Sequence, residues 1–392
     1  MDSLTQAVLG ASVQGALLGR WQGRKALLYG ALLGTLPDLD VLIDYGDAVA
    51  NMTRHRGFSH SLFVLTGFSL LLAWLLRRFR PHPGYGGGRL FLTLWLVLAT
   101  HVLLDSLTSY GTQLLWPLDM PPVAWSSVFI IDPLYTLPLL GAVLGGFLYR
   151  LNGRALRWQY WALGLSSLYL GLTLVGKQMA ENRVAAELAR QGIRAQALFS
   201  VPTPFNSLLW RVLARDGEDY HEALVGWFDR RPPELVRLPR GTTLIAGLGA
   251  SPQLARLRWF ADDWLRYDEI DGKLVVTDLR LGMTGAHPFR FALAAKRDDR
   301  WQLLPEPEQL PMNRGRLEHL GLLWRRIWHQ DARIPLEDWA RQLQQWQVPL
   351  TASPPRPPPL RPARLPASAR ADPAARSGHD GKGLRPFLTA PS

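Results

Sequence analysis

The stretch LFLTLWLVLATHVLLDS, residues 90–106, decides how this chain of 392 residues is organised. Its apolar part approaches the roughly 17 to 25 residues that a helix needs to cross a bilayer. His101 and Asp105 are four positions apart, so their side chains lie on one helix face, about one turn from each other. Ionisable groups at membrane depth are costly and are functional by default. The stretch therefore predicts a transmembrane helix that carries a polar site.

Other apolar runs precede and follow this stretch. Residues 62–76, 129–149 and 158–176 are each close to the length of a membrane span. Residues 4–19 and 26–36 are rich in Ala, Gly and Leu and are short for a full crossing, so we expect a tight helical hairpin packed through small residues. Together the runs predict an α-helical multi-pass membrane domain of about six helices, of which the first pair is short enough to be re-entrant.

The composition narrows the classes of function. Hydrophobic residues make up 47% of the chain and charged residues 19%, below the roughly 25% charged of an ordinary soluble domain, which excludes a fully disordered or fibrous chain. The chain has no cysteine, which excludes a disulfide scaffold, a CxxC zinc site and a thiol nucleophile. Any bound metal must therefore use His, Asp or Glu. The net charge of +12 is divided between loops and the C-terminal tail and does not form one basic patch.

The character of the sequence changes near residue 176, where alternating apolar and polar residues replace the long apolar runs. We expect a membrane-embedded domain at residues 1–176, a smaller soluble α+β domain at 177–350, and a disordered Pro- and Arg-rich tail at 351–392. Within the soluble domain, Asp271-Gly272 separates two alternating segments and predicts a two-residue β-hairpin turn.

Three basic loops, residues 20–25, 77–89 and 150–157, set the expected orientation. Lys and Arg mark the cytoplasmic ends of membrane helices, so alternation along six helices places the polar clusters and the soluble domain on the outer side. We therefore expect a multi-pass protein of the bacterial inner membrane with a periplasmic soluble domain. Membrane lipid is an expected partner, and nucleic acid is not.

Three short motifs supply the polar residues of the membrane half. Pro37-Asp38-Leu39-Asp40 offers two carboxylates, His55-Arg56-Gly57-Phe58-Ser59-His60 two imidazoles, and His101 with Asp105 one of each. His and Asp ligands suit a divalent ion, with Zn²⁺ or Mn²⁺ expected. Each motif also has a structural interpretation: a polar helix end for the first, surface histidines for the second, and a hydrogen bond between helices for the third. Asp2 and Asp132 also fit helix caps.

The order of these motifs resembles a bacterial family described as LexA-binding, inner-membrane-associated, metal-dependent hydrolases. The resemblance covers roughly residues 1–150 and is carried by MDSLTQ, LPDLD, HRGFSHS, HVLLD and YGTQLLWP, which start at residues 1, 36, 55, 101 and 110. It implies a multi-pass membrane protein with a hydrolytic metal site. The implied metal ligands are Asp38, Asp40, His55, His60, His101 and Asp105. Other branches of the family carry His near the position of Gln6, which leaves the role of Gln6 open.

The expected function is metal-dependent hydrolysis at the outer membrane face. A bound ion would activate water, and Asp38 or Asp40 would serve as the general base if it is not a ligand. Arg54 and Arg56 suit an anionic oxygen, so a phosphoester or another lipid-linked small molecule is the expected substrate. Asp38, Asp40 and Arg56 are therefore the candidate catalytic residues.

Two other functions fit the same residues. One is a non-catalytic membrane scaffold or regulator, in which a structural ion or a polar cluster locks the helices together. The other is a transporter, but the polar clusters gather at one membrane face and leave the middle of the spans apolar.

Overall fold

The computed structural model describes residues 1–312 and 317–344, so the tail predicted at 351–392 lies outside the described residues. The N-terminal half is helical and includes two short 3₁₀ turns, at Pro37–Leu42 and Phe58–His60. Its helices are α1 (Ser3–Gln22), α2 (Arg24–Thr35), α3 (Ala48–Arg54), α4 (Leu62–Phe79), α5 (Gly87–Ser106), α6 (Pro133–Tyr149) and α7 (Gly153–Arg190).

Helices α1 and α2 form the hairpin that their small residues predict. The Asp2 carboxylate accepts a hydrogen bond from Thr5 N at 3.1 Å and caps α1, and Gly23, at φ 59°, makes the turn into α2. The two backbones approach so closely that a Cβ on Gly10 would lie 2.3 Å from the Gly30 carbonyl oxygen. Only glycine permits this contact, so the hairpin is held by backbone packing.

The expectation of about six membrane-spanning helices is wrong. Within the described residues, only α4 and α5 are long and apolar enough to cross a membrane. Helix α2 has 12 residues, about 18 Å at the usual helical rise, against a hydrocarbon core of roughly 30 Å. Helix α6 has 17 residues, and α7 continues for 38 residues into a charged segment.

Helix α4 has the surface of a lipid-facing helix. Its buried residues, Leu65, Ser69 and Ala73, recur every four positions and form one stripe. The remaining face is apolar and exposed, with Leu71 and Trp74 more than half accessible. A large exposed apolar surface of this kind marks a membrane or protein contact.

The C-terminal half contains two four-stranded antiparallel sheets, with strand orders β1-β2-β3-β4 and β5-β6-β7-β8. The hairpin predicted at Asp271-Gly272 joins β5 to β6, and both turn residues have positive φ. The strands are β1 (Ala197–Pro202), β2 (Leu209–Asp216), β3 (Asp219–Gly226), β4 (Val236–Pro239), β5 (Leu265–Ile270), β6 (Lys273–Asp278), β7 (Arg290–Arg297) and β8 (Arg300–Gln309). The helices of this half are α8 (Pro252–Ala261), α9 (Leu317–Trp328) and α10 (Leu336–Arg341).

The helical half and the sheets share apolar cores. Helix α7 runs without a break past the expected boundary at residue 176, and Ala180 and Val184 in its second half pack with Trp210 and Val212 of the first sheet. Val49 and Met52 of α3 pack with residues of α8 and of the second sheet. The division into three domains stays a prediction. The packing of α3 places the loop that carries His55 and His60 beside α8.

Candidate metal centre

Four predicted ligands, Asp38, His60, His101 and Asp105, come together at one point of the helical half. Asp38 lies in the 3₁₀ turn that follows α2, and His60 ends the 3₁₀ turn that precedes α4. His101 and Asp105 lie in the last turns of α5. One ligand atom from each residue lies within 4.8 Å of the other three, so the group could hold a metal ion.

The distances between these atoms match the edges of one coordination polyhedron. His60 Nε2 lies 3.2 Å from Asp105 Oδ2 and 3.3 Å from His101 Nε2. Asp38 Oδ1 lies 3.4 Å from His60 Nε2 and 3.6 Å from His101 Nε2. A tetrahedral ion with bonds of about 2.0 to 2.2 Å has ligand-to-ligand edges of about 3.3 to 3.6 Å. These four distances therefore suit an ion of this size, and the Asp38 and Asp105 ligand oxygens lie within 4.8 Å of each other.

The hydrogen bonds of the two imidazoles direct their lone pairs toward the same point. His101 Nδ1 lies 2.6 Å from the carbonyl oxygen of Gly34, which can only accept, so Nδ1 carries the proton. Ser59 Oγ donates to Asp40 Oδ2 at 2.6 Å and therefore accepts from His60 Nδ1 at 2.9 Å. Both Nε2 atoms of the neutral rings are then acceptors. Metal-binding histidines are fixed in this way, by a hydrogen bond from the other ring nitrogen.

The four converging atoms are electron-rich when both rings are neutral, and a cation between them would offset their repulsion. One proton on Nε2 of either ring would give a hydrogen bond to Asp105, whereas protons on both rings, at an Nε2–Nε2 distance of 3.3 Å, would place two imidazolium N–H groups against each other. Asp38 Oδ1 supports the metal interpretation because, within the described residues, it is buried and has no hydrogen-bond donor. His60, His101 and Asp105 are almost fully buried, whereas the Asp38 side chain is 21% exposed.

The second oxygen of Asp105 is occupied by other donors. Gln6 Nε2 donates to Asp105 Oδ1 at 3.0 Å, the Arg56 guanidinium lies 3.2 Å away, and the Met1 amino group also contacts it. These contacts leave Oδ2 free to face the histidines. Gln6 therefore lies next to the ligand group and contacts it through Asp105.

Two predicted ligands, Asp40 and His55, form a separate pair beside the group of four. His55 Nδ1 lies 2.7 Å from Asp40 Oδ1, and Asp40 also accepts from Ser59 and from the backbone N–H of Arg56. Burial alone would raise the pKa of the Asp40 carboxyl, but the hydrogen bonds and charge of its partners outweigh burial and lower the pKa. The His55 side chain is 20% exposed and lines a cavity of about 480 Å³.

Arg56, a candidate catalytic residue, connects the two groups. Its backbone has φ 59°, a strained value for a residue with a side chain. In this conformation its N–H donates to Asp40 at 2.9 Å, and its buried guanidinium reaches Asp105 and lies 5.0 Å from the centre of the Tyr110 ring. The guanidinium is therefore used to pair Asp105, and Arg54 lies elsewhere, on an exposed surface.

Sequence reasoning missed the groups that surround the ligands, namely the Met1 amine, the Gly34 carbonyl and the Ser59 hydroxyl. The small residues of α1 and α2 could have indicated one of these groups. They let the two helices approach closely at Gly34, whose carbonyl oxygen contacts His101. Asp132 stays apart, since it caps α6 and accepts from Tyr169 Oη at 2.7 Å. Whether any predicted ligand binds metal stays a prediction.

Comparison with known proteins finds a family match that lies within the helical half. Residues 1–180 match the family described as YdjM inner membrane protein. The inner membrane protein YbcI of Escherichia coli is 41% identical over 97 residues, which cover 24% of this chain and 54% of YbcI. Uncharacterized protein YfhP of Bacillus subtilis is 25% identical over 317 residues, 74% of this chain and 89% of YfhP. No solved structure shows a significant match.

The YfhP match covers more of the chain than residues 1–180 and so extends into the half that contains the sheets. The specific LexA-binding and hydrolase attributes of the predicted family do not appear in these matches. Residues 1–180, which include all the residues of the candidate metal centre, match the YdjM inner membrane protein family.

Proposed function

We propose that this chain is an inner-membrane protein that binds one divalent metal ion through Asp38, His60, His101 and Asp105 and uses it in hydrolysis. One observation carries the proposal: four electron-rich atoms from three elements, the two 3₁₀ turns and α5, converge at distances that suit a metal ion. The similarity of residues 1–180 to a family of inner membrane proteins supports the location.

Zn²⁺ or Mn²⁺ suits two imidazoles and two carboxylates. An ion of this class, when bound, lowers the pKa of a water molecule toward about 7 and polarises the scissile bond. The residues of the chain have separate tasks. The Gly34 carbonyl and Ser59 fix the two histidines, and Arg56 offsets part of the negative charge at Asp105.

The Asp40–His55 pair is suited to move a proton. Asp40 holds His55 Nδ1 at 2.7 Å, which leaves Nε2 of His55 as the acceptor for a proton from the attacking water. The His55 and His60 rings are 6.1 Å apart, so this base lies close to the proposed ligands. Its partial exposure at the 480 Å³ cavity gives a substrate access to it. We therefore assign the base to His55 and the orientation of His55 to Asp40.

The position of the site supports a membrane-bound substrate. His60 lies two residues before α4 begins, and Asp105 lies at the end of α5, so both lie at the same end of the two candidate spans. A phosphoester or another lipid-linked molecule fits a site at this boundary. We further propose that this end faces the periplasm. Because the chain has no cysteine, a single cysteine at the exposed position Asp119 would react with a membrane-impermeant maleimide in intact spheroplasts only if that orientation holds.

A non-catalytic scaffold with a structural ion is the second candidate. One observation favours it: four side chains offer a ligand atom each, enough to fill all positions of a four-coordinate ion, and structural zinc sites are closed in this way, whereas catalytic sites keep an open position. The partial exposure of Asp38 favours catalysis, because this is the ligand that a water molecule can approach. A substitution at His55 distinguishes the two functions: a hydrolase should lose activity and keep its metal, and a scaffold has no hydrolysis to lose.

The test compares three variants of the full chain purified in detergent. Metal content is measured by mass spectrometry, and hydrolysis is measured with bis(p-nitrophenyl) phosphate. His101→Ala should lose the metal and the activity, His55→Ala should keep the metal and lose the activity, and His82→Ala, a loop histidine outside the site, should change neither. If the wild type holds metal but shows no hydrolysis, the scaffold function is supported. If His101→Ala holds as much metal as the wild type, the metal site is wrong.

A further inference from the structure

A second cavity, of about 530 Å³, lies where the loops at the ends of the two candidate spans meet α8. Its volume is within the usual range for a small-molecule site, roughly 300 to 1,000 Å³. The walls combine two arginines, four aromatic residues and one carboxylate. Its lining includes Arg54, Arg256, Tyr45, Trp259, Trp116 and Asp119.

Two guanidinium groups line this cavity, and neither forms an ion pair within the described residues. Arg256 donates to the Thr53 carbonyl at 3.1 Å and to Thr53 Oγ1 at 3.2 Å, and lies 4.0 Å from the centre of the Trp259 ring. Arg54 is exposed. Burial lowers the pKa of Arg256, the nearby charge of Arg54 lowers it further, and Asp119 opposes the effect. The positive charges of the two arginines therefore repel each other, and Asp119 is the carboxylate of the cavity wall that opposes them.

Two further donors in the cavity wall lack partners. Within the described residues, the Tyr45 hydroxyl and the Trp259 indole N–H are buried and form no hydrogen bond. An indole N–H can only donate, so its partner must be an acceptor. Buried polar groups nearly always have a partner. A ligand that brings several acceptor oxygens and negative charge would satisfy both donors and both arginines.

The rim of the cavity has the character of a membrane interface. Trp116 and Phe58 are each about 40% exposed, and Leu118 is 54% exposed. Phe58 lies four residues before α4 begins, at one end of a candidate span. Aromatic residues concentrate at this depth, where lipid headgroups lie.

We propose that this cavity binds an anionic phosphoester group presented at the membrane surface. A guanidinium group can bind phosphate through two parallel hydrogen bonds, and this cavity has two such groups. The phosphoester oxygens also supply the acceptors that Tyr45 and Trp259 lack. Tyr45 lines both this cavity and the one beside His55, and Arg54 precedes His55 in the chain. If the proposed hydrolase function holds, the cavity anchors the phosphoester of its substrate; the binding itself does not depend on the metal.

The experiment measures binding by calorimetry to the full chain in neutral detergent with EDTA present, so that loss of the metal cannot decide the result. The probes are dihexanoyl-phosphatidylglycerol, glycerol 1-phosphate and glycerol. The variants are Arg54→Gln, Trp259→Phe and Arg258→Gln. Arg54 has no hydrogen-bond or ion-pair partner for its side chain within the described residues, so its replacement should leave the fold intact. Arg258→Gln is the control: it also removes one positive charge, from a residue of α8 that does not line this cavity.

Glycerol should not bind. Arg54→Gln should weaken binding of the phosphate-bearing probe by about tenfold or more, the usual effect of losing a hydrogen bond to a charged group. Trp259→Phe should weaken it less, and Arg258→Gln should leave it unchanged. Binding of the lipid alone would identify a lipid headgroup as the source of the phosphoester, and binding of glycerol 1-phosphate as well would show that the phosphate suffices. Equal binding by wild type and Arg54→Gln, or binding of neither phosphate probe, would overturn the proposal.

Discussion

Replacement of Gly34 by alanine should weaken metal binding without touching a ligand. The added Cβ would lie 2.7 Å from the Gln6 carbonyl oxygen and 3.1 Å from Gly10 Cα. Ordinary contact begins at 3.4 Å, so the nearer pair of atoms must separate by about 0.7 Å. Both neighbours are backbone atoms of α1, so the whole helix must move away from α2.

This movement would disturb two supports of the site at once. The Gly34 carbonyl fixes His101 through Nδ1 at 2.6 Å, and Gln6 donates to Asp105 at 3.0 Å. Loss of such outer contacts typically costs roughly 10- to 100-fold in metal affinity. Overpacking of this kind also costs about 1 to 3 kcal/mol of stability.

The assay is a competition titration with a chromophoric chelator, together with the midpoint of thermal unfolding in detergent. The matched control is Gly67→Ala in α4, where a Cβ would meet no atom within 4 Å. Alanine there should be neutral or stabilise the helix by up to about 1 kcal/mol. Wild-type affinity and an unchanged unfolding midpoint in Gly34→Ala would refute the link between hairpin packing and the site.

Three other substitutions separate the site from the rest of the fold. Ser59→Ala removes the acceptor for His60 Nδ1 and should weaken metal binding by roughly 10- to 100-fold in the same titration; unchanged affinity would show that Ser59 does not orient the ring. Asp132→Ala removes the cap of α6 and should cost about 1 kcal/mol of stability with no change in metal content; loss of metal would extend the site to this residue. Glu222→Ala leaves Arg211 buried and unpaired, since both side chains are 0% exposed, and should cost about 3 to 5 kcal/mol in thermal unfolding; a change under about 1 kcal/mol would contradict the buried ion pair.

Four of the six residues that the sequence predicted as metal ligands converge in the structure, whereas the contacts between them could not be predicted. The four-residue spacing of His101 and Asp105 was enough to place both on one helix face. The sequence could not show that His55 pairs with Asp40 and so lies apart from the four proposed ligands. The two residues are 15 positions apart, and the chain between His55 and His60 turns at Arg56 with a positive φ. The Arg56 guanidinium contacts Asp105, which is also distant in sequence.

The fold was predicted less well, and the reason is physical. Apolar length alone cannot distinguish a helix that crosses the bilayer from one that packs against a neighbour. The glycines at positions 10, 30 and 34 let α1 and α2 bury each other, and α7 continues into the sheet-containing half, where Ala180 and Val184 join a core with Trp210. Those partners are distant in sequence, so the number of spans was overestimated.

X-ray absorption spectroscopy of the purified, metal-containing protein tests the central claim most directly. The account predicts a first shell of nitrogen and oxygen atoms at about 2.0 to 2.2 Å, with the outer-shell signal of two imidazoles. His60→Ala should reduce that signal to one imidazole or abolish binding, and His82→Ala should leave it unchanged. A protein that holds no stoichiometric metal, or a spectrum without imidazole that does not respond to His60→Ala, would contradict the account.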